Sequence, residues 1–494
     1  MKESVYVAAD IGATGIKLVA AGWDGRELKV RDTYSVRHYP LVKDGRDYVD
    51  IETMLRAIRE GLERFAERFQ LISLGIDTFG NGYGVLDKAG RLLLLPHHYR
   101  DRRIDGIMDH LHEHYSDWEM YCEMGNVPIK TRGLLHLLQD VLEASPNIEE
   151  GERLLPLPNL LEYLLTGEMC AERTIASVLY MLEKDGQDWN RKVFRELGIP
   201  DRLFMLLCEP GEARGRIKSS FSTVEGIAGL PVITVAGHDT EAALLAIPDL
   251  NENKAFVSMG TSFVLGARVK EPVVNESSFQ SGFKNMRGAF QTYSLCKDVP
   301  GFWILERCME RWRQDIPDLN YEMVCEAVKS APQNFSFINV SDDRFRVSET
   351  DILKTISDYC RETGQPEVSG MQQVARCLFE SYALCVAWNI GELERITGKH
   401  YEQIVALNGG VQNKLLLQMF ADAAGISVVA GSPWASACGN LLLQLYGTKA
   451  IGTKEELERA AFASCRLETY ESRRSLYWQD RMKHITKSGF FGRL

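Results

Sequence analysis

The first apolar segments of the chain lie on either side of a glycine-containing turn. Residues 6–22 read YVAADIGATGIKLVAAG, which predicts a β-hairpin. Asp10 interrupts the first apolar run and Lys17 the second. An ionised carboxylate in a buried strand is costly unless a cation or hydrogen-bond donor meets it. We therefore expect a partner for Asp10.

A longer helical pattern follows this hairpin. Residues 51–69, IETMLRAIREGLERFAERF, predict an amphipathic helix with apolar positions at Ile51, Leu55, Ile58, Leu62, Phe65 and Phe69. The next run, LISLGID, is typical of a short buried strand that ends in Asp77. Strands that alternate with helices indicate an α/β fold with a mainly parallel sheet, in which ligands gather at strand ends.

The glycine pattern in residues 79–96, FGNGYGVLDKAGRLLLLP, is similar to a dinucleotide-binding fingerprint. That fingerprint requires a helix directly after the glycines. Here the chain is predicted to enter a second strand through the turn DKAG, so dinucleotide binding is disfavoured.

A second hairpin pattern begins 250 residues after Ser4. Residues 254–269, KAFVSMGTSFVLGARV, repeat the order of apolar run, Gly-Thr turn and apolar run. This repetition predicts two related domains that face a common cleft, at residues 1–247 and 248–494. The break is expected in PDLNEN, residues 248–253, where turn-forming residues cluster.

Two further segments predict units that commonly hold ligands. Residues 404–431 indicate a βαβ unit with Gly409 and Gly410 in its first turn and Gly425 ending its helix. Residues 232–247, VITVAGHDTEAALLAI, indicate a strand, the turn GHDT and an apolar helix. Asp239 either caps that helix or accepts a proton from a substrate hydroxyl.

Composition and charge narrow the classes of partner. The chain has 494 residues and a net charge of −11, which argues against a broad nucleic-acid surface or a basic membrane-binding face. We expect a cytoplasmic protein, because neither a secretory leader nor a membrane span is evident. The eleven cysteines are scattered, and the cluster DHLHEH lacks the four ligands of a structural zinc site. Self-association is left open.

The two hairpin turns suggest a phosphate site. Their backbone N–H groups and threonine hydroxyls could bind phosphate oxygens, while Asp10 could hold Mg²⁺ through water and Lys17 could add positive charge. The alternative is that Asp10 caps the turn and Lys17 is exposed to solvent. GxxxxGK[ST] does not occur, so a P-loop is excluded.

Together these motifs resemble the FGGY-type carbohydrate kinases of the actin-like ATPase superfamily, and most closely the L-rhamnulose kinases. The resemblance spans nearly the whole chain. It is carried by DIGATGIK, SLGIDTFG, LPHHYRDRR, LTG, GHDT, MGTS and NGGVQNKLLLQMFADAAGI. It implies an α/β fold of two actin-like (ribonuclease H-like) domains, each a mixed sheet flanked by helices, with an interdomain cleft. The implied activity is ATP-dependent phosphorylation of a sugar, such as L-rhamnulose at C1.

The resemblance also implies site residues. Asp239 would be the general base, and Asp10 the magnesium-linked acid. The implied ATP contacts are Gly12, Ala13, Thr14, Gly15, Lys17, Gly260, Thr261, Glu306, Gly409, Gly410 and Asn413. The implied sugar contacts are Asp77, Thr78, Gly80, His238, Asp239, Thr240 and Asp298.

Several positions depart from the family pattern. Asp298 and Glu306 stand where the L-rhamnulose kinases carry amides, and a carboxylate there is unfavourable unless it turns away or pairs with a cation. FGNGYG also differs from the usual sugar loop, so L-fuculose, L-ribulose and D-xylulose remain open as substrates. A non-catalytic sugar or nucleotide sensor and a chaperone- or filament-like ATPase of the same superfamily are the alternatives. The basic segment 472–494 is expected to form a peripheral helix.

Overall fold

Two mixed β-sheets organise the protein in this computed structural model, which describes residues 2–248, 253–332, 336–345, 350–465, 467–473, 475–488 and 490–492. Most of the predicted break at 248–253 lies outside the described residues.

The strands of the first half are β1 (Glu3–Ile11), β2 (Gly15–Trp23), β3 (Leu28–Arg37), β4 (Leu41–Lys43), β5 (Arg46–Tyr48), β6 (Phe69–Thr78), β7 (Tyr83–Leu86), β8 (Arg153–Pro156), β9 (Ala171–Glu172), β10 (Leu207–Cys208), β11 (Glu212–Arg216) and β12 (Pro231–Thr234). Its helices are α1 (Ile51–Arg68), α2 (Ile107–His112), α3 (Asp117–Met124), α4 (Gly133–Leu142), α5 (Pro146–Glu149), α6 (Leu157–Thr166), α7 (Arg173–Val178), α8 (Arg191–Glu196) and α9 (Asp239–Leu245).

The strands of the second half are β13 (Lys254–Met259), β14 (Ser262–Val269), β15 (Lys284–Arg287), β16 (Tyr293–Pro300), β17 (Gln403–Leu407), β18 (Ser427–Ala430) and β19 (Glu468–Tyr470). Its helices are α10 (Glu276–Gln280), α11 (Phe302–Trp312), α12 (Tyr321–Ser330), α13 (Ile352–Glu362), α14 (Gly370–Thr397), α15 (Lys414–Ala424), α16 (Ala435–Gly447), α17 (Lys454–Ser464) and α18 (Leu476–Ser488).

The first sheet confirms the predicted hairpin. Its order is β11-β12-β6-β1-β2-β3, with β1 antiparallel to β2 and parallel to β6. Asp10 therefore lies opposite Lys17 on one side and Asp77 on the other. The predicted amphipathic helix is α1, whose N-cap Asp50 accepts a hydrogen bond from the N–H of Thr53.

The second sheet repeats this arrangement. Its order is β15-β16-β14-β13-β17-β18-β19, and β13 is again antiparallel to the next strand of its hairpin and parallel to the strand on its other side. The predicted βαβ unit is β17, α15 and β18, with Gly425 in a left-handed conformation at the end of α15. Each half therefore carries a similar hairpin turn at the equivalent place in its sheet.

Helices α9 and α16 pack against each other and connect the two halves. Apolar side chains of α16, including Leu442 and Leu445, join Ala8 and Val19 in the core beneath the first sheet. Ala243 and Leu244 of α9 join Phe256 and Val405 of the second sheet. Each half therefore contributes a helix to a core that also contains strands of the other half.

Two segments differ from expectation. The turn DKAG leads only to an isolated bridge between Leu86 and Leu92, and β7 pairs with β8 instead. The C-terminal helix α18 is more firmly docked than a peripheral tail, because Trp478 and Ile485 are buried in the core of the second half.

Candidate active site

The turn of the first hairpin is held by backbone contacts and is open on its outer side. The N–H of Gly12 donates to the carbonyl of Gly15 at 2.9 Å, and His38 Nε2 bonds to the carbonyl of Gly12 at 2.8 Å. Ala13 is half-buried and Thr14 is exposed. The turn can therefore offer the Thr14 hydroxyl and backbone N–H groups to an anion.

The turn of the second hairpin is fixed against the start of α11. The carbonyls of Gly260 and Thr261 accept hydrogen bonds from the N–H groups of Phe302 and Trp303 at 3.0 and 3.1 Å. A Cβ on Gly301 would lie 2.7 Å from the carbonyl oxygen of Gly260, so the close approach requires glycine. The side chain of Thr261 stays exposed.

Asp10 has no hydrogen-bond partner among the described residues. Burial raises the pKa of its carboxyl group, and the charge of Lys17 lowers it by less. The Lys17 ammonium lies 4.4 Å from the centre of the Trp434 ring, across the boundary between the two halves. The protein thus provides Asp10 with the nearby positive charge of Lys17 but with no hydrogen-bond donor among the described residues.

Asp77 and Thr78 lie behind the site, with fully buried side chains. Asp77 accepts a hydrogen bond from the amide of Asn440 in α16 at 2.6 Å, and its other oxygen has no partner among the described residues. Burial, followed by the charge of Asp10, raises the pKa of Asp77 well above its usual range. The Thr78 hydroxyl donates to the carbonyl of Phe79. Direct contact of either side chain with a sugar stays a prediction.

Asp239 is the first residue of α9, and His238 is the N-cap. His238 makes no side-chain capping bond, and Asp239 stands one residue inside the helix, not at the cap position. Its carboxylate is 29% exposed and accepts a hydrogen bond from the Thr240 hydroxyl at 3.2 Å. Burial, and then the negative charge of Asp10, raise the pKa of Asp239 to about 7. A carboxylate with such a pKa suits general-base chemistry near neutral pH.

His238 connects Asp239 with the loop that carries Gly80. Its Nε2 lies 3.5 Å from the carboxylate of Asp239, and a Cβ on Gly80 would lie 3.0 Å from the same nitrogen. A side chain at this position would require His238 or Val178 to shift. Burial, with the charges of Lys284 and Arg132, lowers the pKa of His238 to about 3, so the imidazole is neutral at pH 7. Its buried Nδ1 has no hydrogen-bond partner in the described part of the chain.

Asp298 pairs with cations, which is one of the two alternatives expected for a carboxylate at this position. Oδ2 accepts a hydrogen bond from Arg132 Nη2 at 2.9 Å and a second one from Lys284 Nζ. Burial alone would raise the pKa of Asp298, but Lys284 and Arg132 lower it to about 2. The carboxylate is therefore ionised at neutral pH.

The residues predicted to contact the nucleotide divide into open and packed positions. Gly409 is exposed, and a Cβ on it would meet no atom within 4 Å, whereas Gly410 packs against Met259. Asn413 caps α15 by accepting a hydrogen bond from the N–H of Leu416 at 3.0 Å. Glu306 bonds to the Tyr321 hydroxyl, and burial raises its pKa.

Three residues of this site were missed by the motif analysis, namely Arg132, Lys284 and Asn440. A signal existed for one of them. Asn440 stands four residues before Gln444 in an otherwise apolar helix, so it is polar where the pattern is apolar. Lys284 lies in the segment KNMR, in which three of the four residues are polar, so no apolar pattern marks it. Arg132 precedes an apolar helix in a segment without any motif.

Family comparisons give the site its context. Residues 5–246 match the model of the N-terminal domain of the FGGY family of carbohydrate kinases, and residues 255–448 match that of the C-terminal domain. The chain belongs to the FGGY family of carbohydrate kinases. It is an enzyme that phosphorylates a sugar, and ATP is the phosphate donor in this family.

Named relatives agree with this assignment. The kinase is 32% identical to a rhamnulokinase of Bacteroides thetaiotaomicron, over 98% of this chain and 99% of the relative. It is 29% identical to a rhamnulokinase of Bacillus subtilis, over 90% of this chain and 91% of the relative.

Solved structures of other sugar kinases share the fold. A xylulose kinase from Lactobacillus acidophilus superposes with a TM-score of 0.78 at 13% identity, over 98% of both chains. Glycerol kinase from Plasmodium falciparum with ADP gives 0.77 at 14% identity, over 99% of this chain and 98% of that one. The predicted fold of two α/β domains is thereby confirmed. Among the described residues, no helix combines the length and apolar composition needed to cross a membrane.

Proposed function

We propose that this kinase transfers the γ-phosphoryl group of ATP to the C1 hydroxyl of L-rhamnulose, with Asp239 as the general base. The observation that carries this proposal is the state of Asp239. Its carboxylate is partly exposed at the start of α9 and has a pKa raised to about 7. A group with this pKa exchanges a proton readily at neutral pH.

In the proposed reaction, Asp239 takes the proton of the sugar hydroxyl while the hydroxyl oxygen attacks the γ-phosphorus. The bond from that phosphorus to the bridging oxygen breaks, and ADP leaves with the electron pair. Thr240 holds one oxygen of Asp239 at 3.2 Å, which orients the carboxylate. His238 is neutral at pH 7, so its imidazole can donate a hydrogen bond to a sugar hydroxyl or accept one from it.

The triphosphate is proposed to lie between the two hairpin turns. Thr14 and Thr261 are exposed at equivalent turns, one in each half. Backbone N–H groups in such turns bind phosphate oxygens well. Gly409, exposed beyond the end of β17, is proposed to contact the adenosine.

Asp10, supported by Asp77, is proposed to hold Mg²⁺ through water. The fit is supported by two adjacent carboxylates, of which Asp10 has no partner among the described residues and Asp77 has one orphaned oxygen. Magnesium binds oxygen ligands and commonly keeps several waters. When bound with ATP, the ion would offset the charge that these carboxylates and the phosphates place close together.

The choice of L-rhamnulose is supported by the rhamnulokinases among the curated relatives, at 29% to 32% identity over most of the chain. The sugar loop FGNGYG departs from the usual pattern, so the same assay must include L-fuculose, L-ribulose, D-xylulose and glycerol. Sites that hydrogen-bond a hydroxyl discriminate strongly against analogues that lack it.

The experiment is a coupled assay of ADP release with Mg-ATP and each of these sugars. We expect the highest kcat/KM with L-rhamnulose and no phosphorylation of its 1-deoxy analogue. Asp239→Asn should lower kcat by about 10²–10⁴-fold, because it removes the general base. Asp480→Asn is the matched control, since that carboxylate is 75% exposed on α18.

Two results would count against the proposal. Near wild-type turnover by Asp239→Asn would remove Asp239 from the reaction. A higher kcat/KM with one of the other sugars would replace L-rhamnulose as the substrate while leaving the kinase assignment intact.

A further inference from the structure

Glu172 is a buried carboxylate that the proposed reaction does not use. It is the N-cap of α7 in the first half of the kinase, and it is completely shielded from solvent. Its side chain accepts hydrogen bonds from four donors. These are the N–H groups of Thr174, Ile175 and Gly237, at 2.8, 3.3 and 3.0 Å, and the Thr174 hydroxyl, at 2.7 Å. The two carboxylate oxygens therefore act only as acceptors.

Helix capping explains only two of these contacts. The N–H groups of Thr174 and Ile175 belong to the first turn of α7, where a cap side chain commonly accepts hydrogen bonds. Ser, Thr, Asp and Asn are the residues preferred for that task, and a buried carboxylate is costly. The longer side chain of Glu172 also reaches Gly237, which is 65 positions further along the chain. Capping does not account for this contact between distant segments.

Gly237 stands two residues before Asp239, and both of its backbone polar groups are held. Its N–H donates to Glu172 Oε2 at 3.0 Å, and its carbonyl accepts a hydrogen bond from the N–H of Thr78, at the end of β6, at 2.9 Å. A Cβ on Gly237 would lie 2.8 Å from Pro158 Cγ and 3.2 Å from Glu172 Oε2. The turn before α9 is thus packed closely against Glu172.

Thr174 makes a second connection to the same turn. Its hydroxyl donates to Glu172 Oε2 and accepts a hydrogen bond from the N–H of His238 at 3.4 Å. His238 is the N-cap of α9, and Asp239 is the first residue of that helix. The backbone N–H groups of both residues before Asp239 are therefore bonded to Glu172 or Thr174.

We infer that Glu172 is a positioning residue for Asp239, because its carboxylate binds Gly237 directly and His238 through Thr174, which fixes the backbone that presents the general base. This inference rests on the proposed function. Glu172 and Thr174 need not touch ATP or the sugar, since both are fully buried. Their effect should fall on the rate more than on binding, because a displacement of about 1 Å can lower a rate by about 10²-fold.

The test is a double-mutant cycle between Thr174→Val and Asp239→Asn, with kcat and KM measured for ATP and for the sugar that the wild type phosphorylates best. Valine has nearly the shape of threonine but can neither donate to Glu172 nor accept from His238. We expect Thr174→Val to lower kcat by about tenfold, with both KM values within about twofold of wild type. Thr174→Ser restores the hydroxyl and should recover kcat to within about threefold.

The cycle separates positioning from a general loss of structure. In the Asp239→Asn background no general base is left to misplace, so Thr174→Val should change kcat by less than about twofold. A substitution that only lowered the folded fraction would lower kcat by the same factor in both backgrounds. The assays are run at pH 8, because burial raises the pKa of Glu172 to about 7 and the carboxylate is mostly ionised above that value.

Glu172→Gln provides an independent arm. An amide offers one acceptor oxygen and an NH₂ group that only donates, so at least one of the four donors loses its acceptor. We expect kcat to fall by about tenfold in the wild-type background and by less than about twofold in Asp239→Asn. The matched control is Ser222→Ala, which removes a buried hydroxyl that donates to Glu63 of α1 at 2.6 Å and should change neither kcat nor KM.

The inference is overturned if either Thr174→Val or Glu172→Gln leaves kcat within about twofold of wild type, or lowers it equally with and without Asp239. Circular dichroism verifies the fold of each variant. If Glu172→Gln does not fold, the comparison of Thr174→Val with Thr174→Ser decides the question. Near wild-type turnover by Asp239→Asn alone, or a wild type that phosphorylates no sugar, would instead refute the proposed function.

Discussion

Gly439 provides a direct test of how closely the two halves are coupled. It lies in α16 where this helix crosses α9, and a Cβ built on it would stand 1.7 Å from the carbonyl oxygen of Ala242. Real Cβ contacts essentially never fall below 3.0 Å. Because the obstacle is backbone, Gly439→Ala must move one helix relative to the other by more than about 1 Å.

The size of the effect follows from two opposing contributions. Overpacking of this kind costs about 1–3 kcal/mol. Alanine is a better helix former than glycine by about 1 kcal/mol, which offsets part of that cost. We expect a net destabilisation of up to about 2 kcal/mol. A larger effect is expected on activity, because α9 begins at Asp239 and a displacement of about 1 Å can lower a rate by about 10²-fold.

The assay combines thermal unfolding, followed by circular dichroism, with steady-state turnover of Mg-ATP and the sugar. Gly391→Ala is the matched control, since Gly391 lies within α14, is exposed and has open space where its Cβ would stand. That substitution should leave turnover unchanged and raise the melting temperature slightly. If Gly439→Ala behaved like Gly391→Ala in both measurements, the close crossing of α9 and α16 would not exist in solution.

Three other outcomes are expected. With Asp239 as the base and its pKa at about 7, kcat/KM for the sugar should fall about tenfold per unit below pH 7; a flat profile down to about pH 5 would contradict this. Arg268→Met leaves buried Glu241 without the guanidinium that lies 2.8 Å away, so the free energy of unfolding in urea should fall by about 3–5 kcal/mol, and a change below about 1 kcal/mol would contradict it. Asn440→Leu removes the hydrogen-bond donor to Asp77, so the melting temperature should fall. The decrease should grow as the pH rises, because an ionised Asp77 is destabilised more by the missing hydrogen bond than a protonated one; a decrease that does not depend on pH would argue against this role.

Elements specified by short segments could be predicted from the sequence. The first hairpin, α1 and the βαβ unit each depend on a pattern of apolar residues and glycines within about thirty positions. The place of Asp239 at the start of a helix was predicted for the same reason. Its raised pKa was not, because the main causes are burial and the approach of Asp10, which lies on another strand.

Long-range contacts account for what the sequence could not reveal. Asp298 was expected either to turn away or to pair with a cation, and its partner Arg132 is 166 positions away and carries no motif. Lys17 was expected near phosphate, and the contact of its ammonium with the Trp434 ring was not foreseen. Asn413 has a helix-capping bond that its motif did not indicate. Each outcome depends on which distant segment packs nearby, and local periodicity does not contain that information.

The position of α16 has a consequence for biosynthesis. Leu442 and Leu445 cover the face of the first sheet that carries Ala8 and Val19, and the Gln444 amide donates to the carbonyl of Val7 at 2.9 Å. The ribosome adds this helix about 200 residues after it has finished α9, which takes roughly 10–40 s at synthesis rates of about 5–20 residues per second. During that interval the first sheet has emerged with one face uncovered. Nascent chains of this kinase should therefore bind chaperones until α16 has been made.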